Sequence, residues 1–385
     1  MSTHKSATAE MRISWDSGTA YDFFLSYAVL KDPKRFGIRS AWASGMRARL
    51  QPEDREVLDT SSVVLRVPSK WVHSLPQPKD AIHCLSALSQ IQARDRLTEL
   101  TCCPASEEEL SEKEQLLSSV KQKGSWDEAD LESLRSIQLA KKTRHSAPEI
   151  EELKLILETW SQAEEFGKRL LDALRHYYAV FFKEEEQRIA PKLVQALEHA
   201  KERFKTLSMV AFLEEISQGI RYEDLPLIEE LTLVPSYWIS PFIQIQSMGK
   251  NRRLWAFGAR PAKDSLVPGD PVPDALKVSL KALADPTRLR ILRYLHQQPL
   301  TMAELTKRLR LRMPTVIHHL SALRLAGLVS IHVETIAAVH GKDKAKGRRQ
   351  KYGVRTEGLD TTLLALKGFV ESDQELANPE TYEEE

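Results

Sequence analysis

Cationic and hydrogen-bonding side chains collect between positions 307 and 351, at spacings suited to a polyanion. Val316, Leu320 and Leu323 stand at i, i+4 and i+7, the inward stripe of a helix, and leave Arg312, Met313, Thr315, Ile317 and His318 facing away from it. Guanidinium, hydroxyl and imidazole groups in that arrangement suit base edges and phosphate oxygens, with Met and Ile adding apolar contact. Farther on, Lys342, Lys344, Lys346, Arg348, Arg349 and Lys351 surround Gly341 and Gly347 in the run HGKDKAKGRRQK. That run is too polar for a core, and its flexible cations suit phosphates, which are neutralised without fixed geometry.

Other chemistries find less support. His296, His318, His319, His332 and His340 lack Cys or carboxylate partners at metal-ligand spacings, so no metal site is expected. Cys102 and Cys103 are adjacent rather than spaced and Cys84 stands apart, which fits ordinary reduced thiols better than a disulfide framework, a zinc module or an oxidant sensor. A Gly-rich phosphate loop, a nucleophile elbow and a HExxH pair are all missing, so neither an enzyme nor a cofactor is expected.

The elements that must position the cationic residues are written around them. A helical pattern over 274–284 precedes Asp285-Pro286, a cap followed by Pro in the first turn, which opens PTRLRILRYLHQQ with Leu289, Ile291, Leu292 and Leu295 as its expected buried face. Thr301-Met302-Ala303-Glu304 reads as a capping box for a short helix to Leu309. Arg310-Leu311-Arg312 then forms a turn, Met313-Pro314 restarts a helix and Gly327 stops it. Two short helices joined by a tight turn describe a helix-turn-helix whose second helix is the reader. Strand-like runs at 328–339 and 350–355 flank the basic loop as a wing.

Charge follows the same boundaries. Residues 272–370 hold 18 Lys and Arg against 7 Asp and Glu, whereas 371–385 hold seven acids and no base, although the whole chain of 385 residues carries only +1. Such segregation is what a polyanion-binding module shows. The amino terminus lacks a signal-peptide pattern and the chain has no long apolar run, so a cytoplasmic location is expected.

Residues 1 to about 220 read almost wholly as helix. Asp16 or Ser17 is the expected cap of a run whose face includes Tyr21, Phe24 and Ala28, and Gln51-Pro52-Glu53-Asp54 marks another start. Positions 106–123, rich in Glu, Ser, Lys and Gln, suit a solvated helix or a spacer. From Ile150 to Phe181 apolar residues recur every three or four positions, as in an intramolecular bundle helix or a coiled-coil seam; strict heptads are not kept, and Pro191 should end or kink the run. Runs at 231–234, 242–246 and 254–257, with a turn signal at Gly249-Lys250-Asn251, predict a small antiparallel sheet. Trp15, Phe23, Phe24, Trp42 and Trp71 suit either a ligand pocket or core. Pro261, Pro268, Pro271 and Pro273 mark a linker.

Taken together, ALADPTRLRILRYL, LTMAELTKRLRLRMPTVIHHLSALRLAGLV and RRQKYGV resemble the winged helix-turn-helix of ArsR-type bacterial transcriptional regulators, over about a quarter of the chain. The resemblance implies a homodimer on double-stranded DNA with a partly palindromic operator, the recognition helix at 313–326 in the major groove, the wing on phosphates, and helices 274–284 and 359–370 at the dimer contact. The sequence departs from the family in two respects. LTMAELTKRL lacks the Cys-containing motif of metal-sensing members, and Ile317 stands where the family often has a small hydroxyl residue, which suits apolar contact with a thymine methyl instead. The segments ISWDSGTAYDFFLSYAVL and VPSYWIS are similar to uncharacterised extensions on some regulators of this type.

The resulting expectation is a mainly α chain with small β elements. A helical regulatory region, 1–257, ends in the small antiparallel sheet, a Pro-rich linker covers 258–273, the winged helix-turn-helix covers 274–370 and an acidic tail covers 371–385. The expected function is sequence-specific transcriptional regulation, with a small-molecule or protein effector at the amino-terminal region; the alternative is a winged-helix scaffold that docks a protein. The tail suits either a solvated terminus or an internal polyanion that competes with DNA for the wing. In the second case truncation after Glu371 is expected to tighten binding to scrambled DNA at low salt, measured by fluorescence anisotropy, and unchanged affinity would contradict that role.

Overall fold

The computed structural model describes residues 11–102, 111–140, 149–222, 228–249, 251–267, 272–336 and 347–371. Helices dominate the amino-terminal body, among them Thr19–Lys31, Pro52–Val64, Ala81–Gln90, Glu112–Lys123, Ile150–Ser161, Ala163–Tyr177 and Lys183–Thr206. The long apolar stripe explains their assembly. Leu153, Leu157, Trp160, Phe166, Leu170 and Tyr177 are buried within the body, so the repeat serves intramolecular packing, and only its first member, Ile150, is exposed. Around Tyr177 the rings of Phe23, Tyr27 and Phe181 gather at centroid separations of 5.3 to 5.8 Å, offset and edge-on contacts that aromatic quadrupoles favour.

Two local expectations need correction. Gly18, not Asp16 or Ser17, precedes the helix Thr19–Lys31, and no side chain caps it. Asp16 is engaged elsewhere: its carboxylate accepts from Tyr21 Oη at 2.6 Å and His73 Nδ1 at 2.8 Å and forms a short ion pair with Lys79. Pro191 does not end its helix, which runs through it from Lys183 to Thr206. Ile189 and Leu193 on either side are buried against the body, and that packing outweighs the lost backbone donor. The stripe is instead interrupted at Gln162 and at a π-helical turn, Tyr178–Phe182. The polar stretch before Lys123 is helical from Glu112, opened by a Ser111–Glu114 capping box and anchored by buried Leu117 and Val120.

Of the expected small antiparallel sheet, the runs at 242–246 and 254–257 pair antiparallel at the edge of a larger sheet, whereas the run at 231–234 pairs parallel. Strands β1 (Arg12–Trp15), β3 (Glu230–Ser236), β4 (Ile243–Gly249) and β5 (Arg252–Gly258) lie in the order β1-β3-β5-β4. The β4–β5 pair is antiparallel, while β1–β3 and β3–β5 are parallel. Parallel strands need cover on both faces, and side-chain alternation supplies it. Leu231, Leu233, Trp255 and Phe257 face a core with Phe212 and Leu213, whereas Val234, Leu254 and Ala256 join the main helical core. Strand β1 lies in a stretch that reads as helical; its four residues are too few to show an alternation. Past Gly258, the described residues of the Pro-rich segment form neither helix nor strand, yet Leu266 and Val267 among them are buried in the main core.

A separate core organises the carboxy-terminal module, around Ile291, Leu295, Leu305, Leu309, Val316, Leu320 and Leu323. Its wing sheet contains β6 (Val329–Ile336) and β7 (Gly347–Val354), paired antiparallel. The third strand is β2 (Ile220–Tyr222), which comes from the body and pairs parallel with β6, Ile220 opposite Ile331. Arg324 reinforces this junction. Its buried guanidinium donates to Ser217 O at 2.6 Å, to Gln218 O in a short contact, and to Val329 O at 3.4 Å.

Two outcomes follow. Asp16→Asn removes the charge opposite the nearly buried Lys79 ammonium and is expected to cost about 3–5 kcal/mol in chemical denaturation. Burial raises the Asp16 pKa, and donation from His73, Lys79 and Tyr21 outweighs it and holds the group at about 2. A depressed acid stabilises above its unfolded value of 3.8, so this contribution fades as pH falls from there towards 2 and should be absent from the Asn variant. Arg324→Ala leaves buried carbonyls without their donor, at a cost of about 2–3 kcal/mol. Faster hydrogen exchange at Ile331 N–H, which bonds Gly219 O at 2.8 Å, is the expected signature.

Candidate nucleic-acid interface

Local sequence chemistry builds the reader as anticipated. Asp285 accepts from Arg288 N at 2.9 Å and opens the helix Pro286–Gln297. Ile291, Leu292 and Leu295 are buried, but Leu289 is 49% exposed and does not belong to that face. It directly precedes Arg290 on the outer side, one residue out of phase with Ile291, Leu292 and Leu295. Thr301 and Glu304 form a reciprocal capping box at the start of Met302–Leu309, with Glu304 N to Thr301 Oγ1 at 3.3 Å and Thr301 N to Glu304 Oε2 at 2.7 Å. Donation from the Thr301 backbone and hydroxyl lowers the Glu304 pKa.

The turn depends on Arg310, whose φ of 54° is left-handed and closes the first helix. The recognition helix then runs Met313–Leu325. Val316, Leu320 and Leu323 are buried, in agreement with the spacing. Arg312, Met313, Thr315 and His318 are exposed, with Met313 at 50%, and Ile317 is half-buried. The structure therefore brings four of the five expected reading residues together on one open surface, with Ile317 at its margin. That helix carries no acidic residue, and no side chain caps its amino-terminal end, which leaves the positive end of the helix dipole on the same side. Gly327, at φ 68°, ends the helix, and Gly358 packs so closely on the Gly327 carbonyl that a Cβ would sit 2.0 Å from it.

His319 behaves differently from His318. It faces Asp285 at 3.9 Å, is largely covered, and burial lowers its pKa. This fits a structural role at the edge of the core. In the wing, Arg349 is exposed, whereas Lys351 pairs with Glu334 at 2.7 Å across the ladder. Arg348 lies in β7, and Lys342, Lys344 and Lys346 lie outside the described residues, as does the tail beyond Glu371.

Pocket expectations for the aromatic residues divide. Phe23 and Phe24 line a cavity of about 600 Å³ in the helical body, beside Tyr27, Leu58 and Leu174. Trp71 and Trp15 pack in cores, Trp15 at 6.1 Å from both Phe204 and Phe212, and Trp42 packs against the main core. Cys84 is buried, and burial raises its thiol pKa well above the ordinary value. Sequence reasoning missed Arg324. The signal was present, since position 324 continues the inward stripe from Leu320 by one turn and places a charge where a core residue belongs.

No described helix is long and apolar enough to cross a membrane. No curated protein and no solved structure matches the chain. Residues 285–330, from the Asp285 cap to the start of β6, match the family model described as bacterial regulatory protein, arsR family. With the capping box, turn, reading helix and wing strands in place, the carboxy-terminal part of the chain carries an ArsR-family helix-turn-helix domain, the DNA-binding unit of that family of regulators.

Proposed function

We propose that the chain is a sequence-specific transcriptional regulator that binds double-stranded DNA as a homodimer. The observation that carries this reading is the acid-free, exposed surface of Arg312, Met313, Thr315 and His318 on a fully formed helix-turn-helix scaffold. In the major groove, Arg312, Thr315 and His318 face base edges and flanking phosphates, and Ile317 sits at thymine-methyl height. The wing cations Lys342, Lys344, Lys346, Arg348, Arg349 and Lys351 meet phosphates. Lys351 shares its charge with Glu334 and contributes less than Arg349.

Exposed apolar side chains support the dimer. The helix Asp274–Leu283 packs with Thr356–Val370, and these are the helices that the resemblance places at the dimer contact. On them Leu280, Leu363, Leu364 and Val370 remain exposed, the last three at 63%, 70% and 73%. Leu363, Lys367 and Val370 recur at helical spacing on the outer face, where a second copy would cover them. The domain division at 258–273 and the regulatory role of the amino-terminal body belong to the same proposal.

Binding of the full chain to its own upstream DNA and to scrambled DNA across a salt series tests this reading. Arg312→Ala and Thr315→Ala are each expected to cost about 1–3 kcal/mol on the preferred fragment and to reduce discrimination. Arg349→Ala is expected to weaken both fragments alike and to lower the salt slope by about one. No binding to either fragment at low salt would contradict DNA recognition and favour protein docking by the winged helix.

A further inference from the structure

A second cavity, of about 990 Å³, lies along the seam between the body and the winged helix. That volume is in the range of small-molecule sites. One wall is Phe36 and residues 260–264 of the body, a second is Leu325 to Gly327 at the base of the recognition helix, and a third comes from the helix Asp274–Leu283 and from the last helix, where Gly358 and Thr362 are buried and Ala365 is exposed at the rim. The walls therefore come from the body, the reader and the helices at the proposed dimer contact.

The charges on this lining are unequal in how they are satisfied. Glu215 is held by Arg203 in a two-point pair at 2.6 and 2.8 Å. Asp264 pairs with Lys192 and accepts from Tyr237 Oη at 3.2 Å. Asp274 pairs with Lys277 at 2.9 Å and accepts from Ser265 Oγ and Leu266 N, both at 2.8 Å. Each acid on the lining is thus already neutralised by a cation outside it. Arg260, by contrast, donates through Nη2 to Ser240 O at 3.2 Å and stacks over Tyr237, while its buried Nη1 donates to nothing among the described residues. A buried guanidinium nitrogen without an acceptor is costly and needs an explanation. Lys263 and Arg355 add positive charge to the same lining.

We propose that this seam cavity is an effector site for a small organic acid, its carboxylate held by Arg260 and its apolar body against Phe36, Leu325 and Phe369. A planar carboxylate matches the guanidinium group that lines the cavity, and Lys263 and Arg355 add attraction from the same lining. Because the ligand touches the body and the base of the reading helix together, its binding differs between orientations of the two, which is the condition for changing DNA affinity. The effector role rests on the DNA-reading proposal; the binding site does not.

The test uses the full chain without DNA. Benzoate, phenylacetate and decanoate are compared with benzamide, phenylacetamide and decanamide by thermal shift and calorimetry. At least one acid is expected to bind saturably and raise Tm where its amide does not, and Arg260→Gln is expected to weaken it about tenfold or more. Ala365→Trp, at the exposed rim and on a different element from Arg260, adds bulk to the cavity lining and is expected to abolish binding with the fold intact. Binding of none of the acids, equal binding of acid and amide, or full affinity in a folded Arg260→Gln or Ala365→Trp protein would overturn the site. Repeating DNA titrations with the bound acid is expected to shift DNA affinity, and an unchanged value would overturn the effector role. Failure of the ligand-free protein to bind any DNA would contradict DNA recognition alone, because the binding arm is measured without it.

Discussion

The edge of β6 that faces the body and the carbonyls at the end of the helix Met209–Ile216 impose the constraint on which the arrangement of the protein depends. Buried backbone groups must find partners. Here the two halves satisfy one another: β2 from the body completes the wing sheet, and Arg324 from the recognition helix donates to Ser217 and Gln218 of the body. A charged side chain inside a junction is costly unless its donors are engaged, and three carbonyls engage this one. The reading helix is therefore fixed to the body at its carboxy-terminal end, while its amino-terminal end, with Arg312, Met313 and Thr315, remains open to solvent.

This division of one helix into an anchored end and an open end links fold to function. The inward stripe Val316, Leu320, Leu323 seats the helix in its own core, and Arg324 extends that stripe into the body. The last helix takes part at the same place, since Gly358 packs on Gly327 and lines the seam with Thr362 while Leu363, Leu364 and Val370 face outward. The seam thus borders both the end of the recognition helix and the helix of the proposed dimer face.

Local chemistry in the module was legible in the sequence because it is short-range. The Thr301–Glu304 capping box, the Asp285 cap and the Gly327 stop each involve residues within a few positions, and each is formed. The exposure of Arg312, Met313, Thr315 and His318 was legible for the same reason, as the complement of a buried stripe. What escaped depends on distant partners. Asp16 looked like a helix cap, but Lys79 and His73 claim its carboxylate from more than fifty residues away. Pro191 looked like a stop or a kink, and long-range packing of Ile189 and Leu193 carries the helix past it. Strands β1 and β2, of four and three residues, have too few side chains to show a period and acquire their conformation from β3 and β6. Leu289 was assigned inward by residue type alone, and the helix phase places it outside.

Selection of binding sites from a random DNA pool by the full chain tests the central claim, that the exposed face of the recognition helix reads sequence as one half of a symmetric pair. Enrichment of an inverted repeat with half-sites about 10–10.5 bp apart, or a whole multiple of that helical turn, is expected. Enrichment of no shared motif, or of a single asymmetric site bound by one copy, would contradict it.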